Sequence, residues 1–311
     1  MARLDPPRLG PFADRKRTER AAAMTTAADP PPKGSVAPLA ALALLCFAAN
    51  SLLARAALAE GDAGPALFTA VRLASGAATL MLLLAVTGRP RRRPVGLSAL
   101  SGLALFVYAG AFSFAYLALD PGLGALILFG AVQATMFAGA LATGERPGRA
   151  RWLGGLAALG GLATLAAPGA DAPPLGPALL MTLAGAAWGV FSLRGRRATD
   201  PVANMAAAFL AATPLGLLLW AALGLGEGVS TRGLLLAVAS GAGASGLGYA
   251  VWYAVLPRME ASLAAVAQLT VPLIALAGGA LWFGEPLTLR FGVAAALILG
   301  GVGAATLSAR R

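Results

Sequence analysis

The sequence predicts an all-α integral membrane protein in which ten transmembrane helices form two inverted five-helix repeats. Three observations carry this prediction. Hydrophobic residues make up 58% of the chain and charged ones 12%, too few polar groups to cover a soluble globule of 311 residues. The apolar residues fall in successive runs, each long enough for roughly 18 to 24 helical residues, as a ~30 Å hydrocarbon layer requires at about 1.5 Å per residue. A pattern also recurs at a separation of 140 residues: Gly279-Ala280-Leu281-x-x-Gly284-Glu285 repeats Gly139-Ala140-Leu141-x-x-Gly144-Glu145, and Leu299-Gly300-Gly301 repeats Leu159-Gly160-Gly161. With only 13 acidic residues in the chain, the paired Glu is the informative part of that match, and a fixed internal period reports a repeated unit.

Residues 1–35 are rich in Pro, Arg and Asp without periodicity and read as a disordered cytoplasmic tail. The tail lacks the layout of a signal peptide, and Met24-Thr25-Thr26 offers an alternative start. Helices are expected over 37–54, 65–87, 96–118, 122–143, 151–167, 176–194, 202–223, 233–256, 261–283 and 289–307. Strands are excluded because the runs are continuous, not alternating, and only helices or closed barrels satisfy every backbone group in lipid. The repeats are expected at 36–168 and 175–307.

Arginine and lysine orient the helices. Placing both termini in the cytoplasm leaves twenty basic residues inside, with clusters at Arg89–Arg93, Arg146–Arg151 and Arg194–Arg197, against Arg55, Arg232 and Arg290 outside. Five helices per repeat is an odd number, so the second copy enters the membrane from the opposite side. Inverted repeats of this kind recur in secondary transporters, whose site lies near the midplane between the halves. The net charge of +11 sits in short loop clusters, which argues against nucleic acid as a partner. A single cysteine, Cys46, and the absence of His leave no disulfide, no transition-metal site and no expected cofactor. The expected partners are a small-molecule solute and the lipid bilayer, with the chain a monomer or weak homodimer in the plasma (inner) membrane.

Ten helices in two halves, with Gly-Glu after helix four and again after helix nine, resemble the EamA family of the drug/metabolite transporter superfamily over residues 37 to 307. The resemblance implies transport of small metabolites, often amino acids or related solutes, through a cavity built mainly from helices one, three, four, six, eight and nine. It also implies a Pro in the middle of helices four and nine; Pro272 fits the second, whereas Val132 occupies the first. A recurrent Arg in helix two corresponds to Val71-Arg72-Leu73.

The polar residues inside the spans are the candidate substrate-binding groups. Gln133 and Gln268 lie at depths where amides are costly, and a Pro at 272 removes the hydrogen bond to the Gln268 carbonyl, so Pro272 is a candidate hinge beside a solute clamp. The alternative is that the two amides only join helices. Arg72 is the one charge within any span; it faces a hydrated cavity, snorkels outward, or bonds Asp62 or Asp120. Asn50 is a weaker candidate of the same kind. Phe112 and Tyr116 match Tyr249 and Tyr253 at a separation of 137, each pair on one helix face, with Tyr108 and Trp188 extending the aromatic set. These rings either line the cavity, favouring aromatic, amphipathic or cationic solutes, or form interfacial belts. Glu145 and Glu285 read as structural caps of tight hairpins, and pairs such as Gly185 with Gly189, Ala244 with Gly248 and Gly300 with Ala304 as close helix packing. No Asp, Glu or His lies within a span, so facilitated diffusion or exchange is expected over proton coupling. A membrane-embedded sensor or lipid-processing enzyme is the alternative class, although no catalytic constellation is visible.

Overall fold

The computed structural model of the protein describes residues 36–88, 95–142, 148–166, 172–195, 200–255, 258–259, 267–268 and 270–307. The tail, the loop arginines from Arg89 to Arg93, Arg146, and Glu145 with its preceding Gly144 lie outside the described residues. Helices dominate: α1 (Val36–Leu58), α2 (Pro65–Val86), α3 (Val95–Ala115), α4 (Pro121–Ala142), α5 (Arg149–Ala166), α6 (Leu175–Gly195) and α7 (Pro201–Leu223). A continuous helix α8 (Thr231–Val255) follows, then α9 (Thr270–Phe283) and α10 (Leu289–Leu307). Among the described residues there is no β-strand, only an isolated antiparallel bridge between Ala63 and Val229.

Local chemistry sets the helix ends. Helix α1 runs a turn beyond its expected end because Leu53 to Leu58 are all good helix formers, and the chain leaves it through Gly61, whose φ of 73° suits only glycine well. Prolines open α2, α4 and α7 at the first helical position, where a missing N–H costs nothing. Asp200 caps α7 by accepting from Val202 N and Ala203 N at 3.1 Å, and Ser230 caps α8 by accepting from Gly233 N at 3.0 Å. Thr288, not Glu285, caps α10: its hydroxyl accepts from Phe291 N at 3.2 Å. Both Glu285 carboxylate oxygens are buried without a hydrogen-bond partner.

Among the described residues six helices, α1, α2, α4, α6, α7 and α8, are long and apolar enough to cross a membrane, with shorter apolar helices in α3, α9 and α10. Helix α9 is described over Thr270–Phe283, and Ala267 and Gln268 ahead of it are also helical; the rest of the expected 261–283 lies outside the described residues. Pro272 is buried in α9, and Gln268, four residues before it, is also helical.

Helices of the two halves pack on one another in corresponding pairs: α5 against α10, α2 against α7 and α4 against α9. In the same way α3 packs on α6 and α8 packs on α1. Small residues bring some of these axes close. A Cβ on Gly185 would meet the Leu128 carbonyl and Ala131 of α4, and one on Gly189 would stand 2.7 Å from Thr135. Gly248 abuts Cys46 of α1 in the same manner. Gly300 faces open space and is not a packing residue.

At one end of the bundle the loops of the two halves are tied together by polar contacts. Arg232 pairs with Glu60 and Asp62, and Ser230 donates to Asp62 Oδ1 at 2.6 Å. The Ser230 bond, aided by Arg232, holds the Asp62 carboxyl below its ordinary range. Leu67 N, in the first turn of α2, donates to Glu227 Oε2 at 3.3 Å from the α7–α8 loop. Arg55 lies 3.4 Å from Asp120 and 3.9 Å from Glu285.

Candidate functional site

Among the described residues Arg72 is the largest fully buried side chain, with 1% exposure, and side chains of α3 and α8 close around it. Its Nη2 donates to Tyr108 Oη on α3 at 2.8 Å, and its Nε donates to Ser245 Oγ on α8 at 3.2 Å. The guanidinium carbon stands 4.7 Å from the Phe112 ring centroid and 5.0 Å from that of Tyr108, within cation–π range. Two alternatives are thereby removed: Arg72 does not snorkel, and it bonds neither Asp62 nor Asp120, which pair with Arg232 and Arg55. Its Nη1 is buried with no hydrogen-bond partner.

Ser245 leads to the next polar group. Asn50 Oδ1 accepts from Ser240 Oγ at 2.8 Å and from Ser245 Oγ at 3.3 Å, all three residues being buried. Two serines five residues apart reach one atom because residues 239–247 of α8 are π-helical, and the wider i→i+5 turn brings such residues onto one face. In a regular α-helix they would diverge. The small residues of Ala239–Leu247 let α2 approach closely enough for Ser245 to meet Arg72.

Beside this network lies a narrow cavity with room for little more than a water molecule. Phe47, Asn50 and Ser51 of α1, Tyr108 and Phe112 of α3, Leu128 and Phe129 of α4, Trp188 of α6, Tyr249 of α8, and Gln268 line it. Its aromatic wall is continuous: the Trp188 ring stands 4.9 Å from those of Tyr108 and Tyr249, whose hydroxyls are 3.4 Å apart, and Phe47 packs 5.5 Å from Tyr249. Of the expected residues, the cavity gathers Gln268, Asn50, Tyr108, Phe112, Trp188 and Tyr249, with Arg72 directly behind Tyr108 and Phe112. Gln133 is half-buried on α4 and does not line it, so the two amides do not meet there.

The matched aromatic pairs divide. Phe112 and Tyr249 line the cavity, whereas their partners point away: Tyr116 is fully buried beside Pro121, and Tyr253 stands near Gly195 at the other end of the bundle. Tyr116 is therefore core and not part of an interfacial belt. The sequence reading missed Phe47, Ser51, Ser240 and Ser245. For the serines a signal existed, in the run Ser240-Gly241-Ala242-Gly243-Ala244-Ser245, whose small residues permit close approach.

The EamA-like transporter family matches the chain twice, over residues 35–167 and 176–307. The chain belongs to the EamA-like transporter family. Its members are transporters within the drug/metabolite transporter superfamily, and the chain is a multi-pass membrane protein. An uncharacterized protein of Pseudomonas aeruginosa, PA1977, is 50% identical over 264 residues, spanning 85% of this chain and 92% of that protein. A solved crystal structure is similar in fold with a TM-score of 0.66 at 23% identity, covering 89% of this chain and 99% of the other.

Proposed function

We propose that this EamA-like protein is a secondary transporter of small metabolites, such as amino acids or related solutes, working by alternating access around the aromatic cavity. Its ten helices span the plasma membrane as two inverted five-helix repeats with both termini cytoplasmic, so the end carrying Asp62 faces outward. One observation supports this reading above the others: the cavity lies on the seam between halves whose helices pack in corresponding pairs, and it draws on the six helices that the family resemblance implies. The ties of Arg232 to Glu60 and Asp62, and of Leu67 N to Glu227, close the outer end of that seam, as expected of one state in a rocking cycle. No acidic side chain lies within a span, so the solute gradient drives the cycle as facilitated diffusion or exchange. Proteoliposomes containing the full chain and loaded with unlabelled amino and organic acids should exchange them for labelled ones. Label uptake no greater than in protein-free vesicles would overturn the proposal.

A further inference from the structure

We propose that the cavity takes an anionic solute: Arg72 receives a carboxylate carried on a small planar apolar body. The inference rests on the transport reading of the same site. Arginine does not lose its proton in proteins, so a positive charge is held permanently in the bundle interior. No Asp or Glu bonds it among the described residues, and its neighbours are hydroxyls and ring faces, which only partly replace water around a cation. The guanidinium nitrogen Nη1 is buried without a hydrogen-bond partner. A buried charge with an unmet donor is expensive to keep, and a bound carboxylate would supply both the missing charge and the missing acceptor.

The surroundings are arranged for the same ligand. Tyr108 and Phe112, which contact Arg72, also form part of the cavity wall, so Arg72 stands directly behind that wall. Both serines donate to Asn50 Oδ1, leaving its amide nitrogen, a donor, as the remaining polar atom of that side chain. The Tyr108 and Tyr249 hydroxyls add two more groups able to donate. Trp188, Phe47 and Tyr249 supply flat apolar faces for the body of the solute. Among the described residues nothing acidic lines the cavity to receive an ammonium group, and the fixed charge of Arg72 repels cations. This decides against the cationic solutes that the aromatic residues alone would admit.

Three probes share one phenylethyl body and differ in head group: 3-phenylpropionate, phenylalanine and phenethylamine. Titrated into the purified full chain in detergent, 3-phenylpropionate should raise the melting temperature, phenylalanine less, and phenethylamine not at all. Arg72→Met should weaken 3-phenylpropionate binding by about tenfold or more while the unliganded protein melts no lower than wild type, because an uncompensated buried charge has been removed. A purely structural Arg72 predicts the reverse, a lower melting temperature and unchanged binding, and that result overturns the proposal. Arg72→Lys, which keeps the charge, should preserve the preference for carboxylate with weaker binding. Stabilisation by phenethylamine, or by none of the three, also overturns it. Binding of 3-phenylpropionate without exchange across proteoliposomes would instead remove the transport reading and leave the anion site standing.

Discussion

Glu285 is the residue whose behaviour departs furthest from a hairpin cap. Its side chain is 8% exposed, both carboxylate oxygens lack hydrogen bonds, and Arg55 approaches no nearer than 3.9 Å. Burial, reinforced by the neighbouring charge of Asp120 and opposed by Arg55, pushes its carboxyl up to about 7. Because the buried site prefers the protonated form, the stability it contributes is complete below the ordinary carboxyl range and is lost as pH rises through about 7. The chain contains no His, so few other groups titrate between about pH 5 and pH 8. The melting temperature in detergent should therefore fall between pH 5 and pH 8, and Glu285→Gln should flatten the profile; a wild-type curve that rises across this range would contradict the assignment. Asn50 permits a second test. Asn50→Leu strips the acceptor from two buried serines and should cost about 1–3 kcal/mol, read as a lower melting temperature. Arg72 was legible from sequence because a lone charge in an apolar span announces itself. The role of Arg55 was not, since a charge at a helix end looks the same whether or not it bridges two acids.

Among the elements, the helices were legible nearly to their ends. Apolar runs, Pro at first turns and Asp or Ser at caps are local signals, and α10 spans Leu289–Leu307 as expected. The π-helical stretch of α8 escaped, for helical periodicity assumes a constant turn, and under that assumption Ser240 and Ser245 fall on different faces. Close packing was half legible: Gly185 and Gly189 contact α4, while Gly300 resembles them in sequence and faces open space. Gly185→Leu should force α4 and α6 apart, lowering stability by about 1–3 kcal/mol or abolishing insertion, whereas Gly300→Leu should be tolerated. Equal melting temperatures for the two variants would sink this distinction.

For the whole molecule, the repeat was legible because a Glu recurs where acids are rare, and the pairing of corresponding helices agrees with it. Orientation rests on the arginine bias and is open to direct test: on a Cys46→Ser background, Leu225→Cys, an exposed position in the α7–α8 loop, should react with impermeant thiol reagents from outside the cell. The central claim is that the halves rock about the cavity, which requires the contacts at the Asp62 end to break in every cycle. Ala63 and Val229 face one another in an antiparallel bridge there, a spacing that accommodates a disulfide. On the same background, Ala63→Cys with Val229→Cys should crosslink, halt solute exchange in proteoliposomes when oxidised, and regain it on reduction. Undiminished exchange by the fully crosslinked protein would contradict the account.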